Sequence, residues 1–249
     1  MRLTAIGLAV VLFFGFGCAS ESDRYVENTR PLFEKYGTLI GTFNTAYGSG
    51  LMELEAADLE EVNRIRSEAL SIEEQIGKNR LPVSLSGDKM APMIRESRND
   101  FLGSTRGVIS FLDGYKNAAE LQAKFMQNYN GLGELLGEPG KRKRLSRDEM
   151  QKTYTLFEGY KLTLKDISRR VLSRLERAEI KYQDLITENE RLKKSAKEIY
   201  GLDVPDVVKI DVGKLIQSSV KTYDEILNPL YTIKELKDFQ KAYSKLELK

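Results

Sequence analysis

From Ser146 to Tyr200, apolar side chains recur in steps of three and four: Met150, Tyr154, Phe157, Tyr160, Leu164, Ile167, Val171, Leu175, Ala178, Tyr182, Leu185, Leu192, Ala196 and Ile199. Steps of this size line up one face of an α-helix, whereas strand side chains alternate with a period of two. The spacing predicts one long helix with a heptad-like seam and charged residues on its other faces. Two steps are irregular, near Tyr160 and Leu175. Ser146 is followed three residues on by Glu149, a pair that satisfies two backbone N–H groups of a first helical turn. Gly201 marks the stop. An exposed apolar stripe of this length has to be covered by other helices, within the chain or from a second copy.

The rest of the chain supplies such helices. Ile94, Phe101, Val108, Leu112, Tyr115, Ala119, Met126, Tyr129 and Leu136 mark the apolar face of a second long helix, starting near Asp88 or Pro92. A last helix runs from about Asp211 towards the C-terminus, kinked or broken at Pro229, which lacks a backbone donor. Residues 22–77 carry helical patterning on both sides of the AYGSG stretch. Its glycines and serine cost about 2 kcal/mol inside a helix, yet a single span of this length matches the other long helices. The expectation is one continuous helix across AYGSG, kinked there. Gly37 and Gly41, like Gly103 and Gly107, sit one turn apart and are expected at tight helix crossings. Asn189 falls on the seam between Leu185 and Leu192. It is either a buried polar residue fixing register or a point where the seam meets solvent. The predicted fold is all-α: an elongated up-down antiparallel bundle of about four long helices with coiled-coil-like packing.

Composition restricts the chemistry. The 249 residues contain no histidine and no tryptophan, and the formal net charge is +2. Without histidine the commonest general base and metal ligand are missing. No P-loop, EF-hand or nucleophile-elbow pattern replaces them. The near-neutral charge gives no field directed at nucleic acid. The chain is therefore expected to be no enzyme, with no metal and no cofactor. The densest charge run is Lys141, Arg142, Lys143 and Arg144, in a Gly/Pro loop. It reads either as a solvated loop or as a contact for anionic lipid headgroups, each basic residue contributing about 1 kcal/mol there. Contact with the membrane that holds the N-terminus depends on AYGSG: a continuous first helix brings this run back to the N-terminal end, and a reversal moves it to the far end and weakens that reading. Of the 12 tyrosines, Tyr115, Tyr129, Tyr154, Tyr160, Tyr182 and Tyr200 fall on seam positions and are expected in the core with hydroxyls at its rim, with ligand stacking as the alternative,.

The N-terminus carries an address. Arg2 precedes the uncharged run Leu3–Phe16, which is too short for a spanning helix of about 20 residues and the right size for a signal-peptide core,. Gly17 then precedes Cys18, the single cysteine of the chain. The sequence GFGCAS resembles the lipobox of bacterial lipoproteins, with Gly15 and Phe16 where leucine and a small residue are usual, a relaxation similar to that of spirochaete lipoproteins. The resemblance implies cleavage before Cys18 and lipid on its thiol. The expected organisation is a signal peptide at 1–17, a lipidated N-terminus and short tether at 18–24, and one helical domain at 25–249. The resemblance places the chain in the cell envelope, at the outer membrane rather than the inner, since Ala19 replaces the aspartate that retains enteric lipoproteins. Its expected role is a structural or protein-interaction module meeting an unknown envelope or host protein, with a homo-oligomer possible in principle. Two alternatives stay open: a membrane-bridging protein that uses the basic loop, and a helical carrier or chaperone for an apolar ligand.

Overall fold

The computed structural model describes residues 20–51, 53–81, 89–137 and 145–246. Among them the chain is all-α: α1 (Glu21–Tyr47), a 3-10 turn (Leu54–Ala56), α2 (Leu59–Lys78), α3 (Met90–Leu136), α4 (Arg147–Ser195) continuing into a π turn (Ala196–Tyr200), α5 (Val212–Tyr231) and α6 (Leu236–Tyr243).

The long helices α3 and α4, of 47 and 49 residues, form an antiparallel spine about 70 Å long at 1.5 Å per residue,. Small residues let them approach. A Cβ added at Gly107 would lie 2.9 Å from the Leu185 Cβ and 3.0 Å from its Cα, and one at Gly114 would lie 2.8 Å from the Ala178 Cβ. The expected crossing at Gly107 is therefore present, and Gly114 extends it. Gly103 meets only the flexible Glu188 side chain. Gly37 and Gly41 mark no crossing: a Cβ at Gly37 would make ordinary contact with Pro205, and one at Gly41 would meet nothing within 4 Å.

The α4 seam is buried, and its irregular steps have a cause. The regular register runs Phe157, Lys161, Leu164, Ser168, Val171, Leu175, Ala178, all buried. Lys161 and Ser168 are polar, so apolar patterning alone steps aside to Tyr160 and Ile167. Lys161 keeps its charge inside by donating to Glu158 at 2.5 Å while its ammonium lies 5.4 Å from the centre of the Tyr231 ring. The Ser146–Glu149 reciprocal cap is formed, and Gly201 closes the helix at φ +63°.

AYGSG is a reversal, which corrects the expected continuous first helix. Gly50 takes φ +104°, a conformation that favours glycine,. The chain then crosses the 3-10 turn and returns as α2. Lys35 donates to Gln75 and Asn79 donates to Thr29, a pairing only antiparallel helices make. This α1–α2 hairpin packs on one half of the spine. Arg66 pairs with Asp113 and Arg106 with Glu73, so α2 runs antiparallel to α3. Phe33 against Phe101 and Phe43 against Phe111 set α1 parallel to it. The other half of the spine is covered by α5, with Tyr223 against Phe125, and by α6, with Phe239 against Phe157. Helix α5 passes through Pro229 and ends two residues later, close to the expected break.

Residues 202–211, legible only as a loop, run back along α4 in the groove beside α1. Asn44 donates to the Asp206 carbonyl and accepts from the Val208 N–H, so one side chain replaces two backbone partners. The Tyr182 hydroxyl bonds to the Val208 carbonyl and accepts from the Ile210 N–H at 2.8 Å. Asn189 is buried, which decides between its two readings. Its amide donates to the Pro205 carbonyl at 3.0 Å and its oxygen accepts from the Tyr36 hydroxyl at 2.9 Å, which also meets Ser104. The tyrosine hydroxyls therefore do not all reach the rim: Tyr36 bonds at the centre of the core, and Tyr223 bonds to the buried Gln122.

This packing predicts three stability effects. Gly107→Ala gains about 1 kcal/mol of helix propensity but presses on α4 backbone at a cost of about 1–3 kcal/mol, so urea denaturation should show net destabilisation. Gly159→Ala, whose Cβ would meet nothing within 4 Å, should instead stabilise by up to about 1 kcal/mol,. Asn189→Leu strands the Pro205 carbonyl and removes a partner of Tyr36. It should cost about 2–3 kcal/mol in the same assay, against little change for the exposed control Glu190→Leu.

Candidate functional site

The residues singled out for function in the sequence, Cys18 and Lys141–Arg144, lie outside the described residues. Their described neighbours fix the ends of the molecule to which they attach. Ser20 caps α1 through its hydroxyl and Asp23, so helix begins at Glu21 and includes residues 21–24 of the expected tether. This end of α1 lies level with the start of α3 and the end of α4: Arg30 donates to the Tyr200 carbonyl, and Phe33 contacts Tyr200. Gly137 and Leu145, which flank the basic run, follow the last residue of α3 and precede α4, at the opposite end of the spine. The condition that would bring Lys141–Arg144 back beside Cys18, a continuous first helix, is not met. No helix among the described residues is long and apolar enough to cross a membrane.

Two concave surfaces stand out among the described residues. The larger, about 960 Å³, lies below the 3-10 turn, where α2 gives no cover to α3; Ala119, Ala123, Met126 and Gly131 form its floor, with Tyr160 of α4 beside them. The second, about 650 Å³, opens between α1 and α2 near the hairpin reversal. Its rim carries Thr38 and Thr45 from α1, and Asp58, Glu61 and Arg64 from the first turns of α2. Its base carries Tyr47 and Tyr115, 6% and 2% exposed.

The hydrogen-bonding capacity of this second groove is lopsided. Thr38 spends its one hydroxyl hydrogen on the Glu34 carbonyl and Thr45 on the Gly41 carbonyl. Both therefore present lone pairs alone. Asp58 caps α2 by accepting from the Glu60 and Glu61 N–H groups through Oδ1. Arg64, the cation of the rim, is held by Glu61 through Nε at 2.7 Å and Nη2 at 2.6 Å. The Tyr47 hydroxyl is buried and has no partner among the described residues. Burial, then Tyr115, Glu61 and Asp58, hold its pKa well above the usual tyrosine range. Burial alone pushes Tyr115 up to about 12. Both phenols stay protonated at neutral pH. Patterning could not reveal this groove: Tyr47 lies within AYGSG, and Asp58 and Glu61 come beside it only through the reversal.

Comparison with protein-family models, curated proteins and solved structures finds no match to this chain.

Proposed function

We propose that the protein is a membrane-tethered lipoprotein of the cell envelope, acting as a non-enzymatic structural or protein-interaction module at the outer membrane. The observation that carries this reading is the single cysteine, Cys18, set after the uncharged run Leu3–Phe16 and Gly17. In an unselected chain a lone cysteine could fall anywhere, and here it stands where lipid attachment requires it. Two or three acyl chains on that residue anchor stably, since each buried methylene contributes about 0.8 kcal/mol. The capped start of α1 at Glu21 supports the reading mechanically. Only Ala19 and Ser20 separate Cys18 from helix, so an anchored bundle would be held close to the lipid surface. Metabolic labelling with palmitate tests it directly: the wild type should incorporate label into the membrane fraction, and Cys18→Ala should not. Equal labelling of both contradicts the anchor.

A second reading is favoured by the separation of the two ends. The helices that flank Lys141–Arg144 place that run's attachment points about 70 Å from the start of α1,. That arrangement suits contact with a surface other than the one holding Cys18, so the protein would bridge. Flotation of the chain lacking residues 1–18 with anionic vesicles at low salt should then show binding that Lys141–Arg144→Glu abolishes. Failure of the unsubstituted chain to float removes this reading and leaves the tethered module.

A further inference from the structure

We propose that the groove between α1 and α2 is a binding site for a small organic ammonium carried on an apolar body. The inventory of donors and acceptors selects this chemistry. Thr38 and Thr45 offer lone pairs only, Asp58 and Glu61 are carboxylates, and the charge of Arg64 is paired with that of Glu61, which leaves Asp58 as the rim charge with no ion pair among the described residues. Asp58 uses Oδ1 for its cap, and its Oδ2 has no bond among the described residues. A ligand that satisfies such a rim supplies donors and positive charge, and an ammonium offers three donors and no acceptor.

The base of the groove points the same way. The Tyr47 hydroxyl is buried without a partner among the described residues, an unfavourable arrangement that a bound donor would relieve,. Tyr47 lines the same groove as Asp58 and Glu61, and its hydroxyl is the polar atom at the base that a donor from the ligand would satisfy. The rings of Tyr47 and Tyr115 stand 6.2 Å apart, edge to face, and close the base of the groove. Val62, Ala46 and the bare backbone at Gly41 form apolar walls for the rest of the ligand. A mostly apolar groove with a few convergent polar atoms is the usual form of a small-molecule site.

The test is titration calorimetry of the full chain with 2-phenylethylamine and with its neutral isostere 2-phenylethanol at pH 7. The amine should bind at least about tenfold more tightly than the alcohol, the margin a charge-assisted contact provides. Asp58→Asn keeps the helix cap, because asparagine caps equally well, and should weaken amine binding about fivefold or more. Tyr47→Phe keeps the ring and should weaken it likewise, while leaving thermal stability unchanged or raised because an unpaired polar atom is removed. Gly41→Val fills the groove from a position where its Cβ meets nothing, and should abolish binding. Equal affinities for amine and alcohol overturn the proposal. So does amine binding that all three substitutions leave intact. Palmitate labelling at Cys18 is independent of either result.

Discussion

The contact between α3 and α4 is the constraint on which the rest of the molecule depends. Where Gly107 and Gly114 let the backbones approach Leu185 and Ala178, the two helices form one rigid spine. Neither the α1–α2 hairpin nor α5 and α6 reach its full length. Each covers one half of the spine and buries its own apolar face by doing so. The core is continuous along the spine, with separate aromatic contacts spaced through it: Phe33 with Phe101, Phe111 with Tyr182, Phe125 with Tyr223, and Phe157 with Phe239. The polar node of Tyr36, Ser104, Asn189 and Pro205 ties three elements and the extended segment together where mispacking would strand buried polar atoms,.

What the sequence revealed follows from how local each signal is. The α4 seam, its serine–glutamate cap and its glycine stop are properties of adjacent turns, and they are present as read. AYGSG departs from the expected continuous helix because parity of helix lengths is a global argument, whereas the cost of about 2 kcal/mol for glycine and serine in a helix is local. The local cost decides. Lys161 and Ser168 hid the true register because a buried polar residue looks like a surface residue until its partners, Glu158 and the Lys165 carbonyl, are known. The docking of residues 202–211 was illegible for the same reason: Asn44 and Tyr182 lie far away in sequence and replace the backbone ladder the segment lacks.

Function divides along the same line. The proposed lipid attachment at Cys18 rests on a linear signal, legible in adjacent residues. The groove between α1 and α2 exists only because the chain reverses at AYGSG, which brings Thr45 and Tyr47 of α1 beside Glu61 and Arg64 of α2. The same reversal puts the start of α1 at the end of the spine opposite the last turn of α3 and the first turn of α4, so one turn governs both features.

That turn is therefore the point at which the account is most exposed. Spin labels at Glu34→Cys and Gln151→Cys, in the chain carrying Cys18→Ser, report it by pulsed electron resonance. Both sites lie on exposed helix faces. With α1 parallel to α3 and α4 antiparallel to it, the labels should sit about 60 Å apart, counting 1.5 Å per residue along the spine. A continuous first helix would bring them level with each other, and a distance below about 30 Å would contradict the architecture.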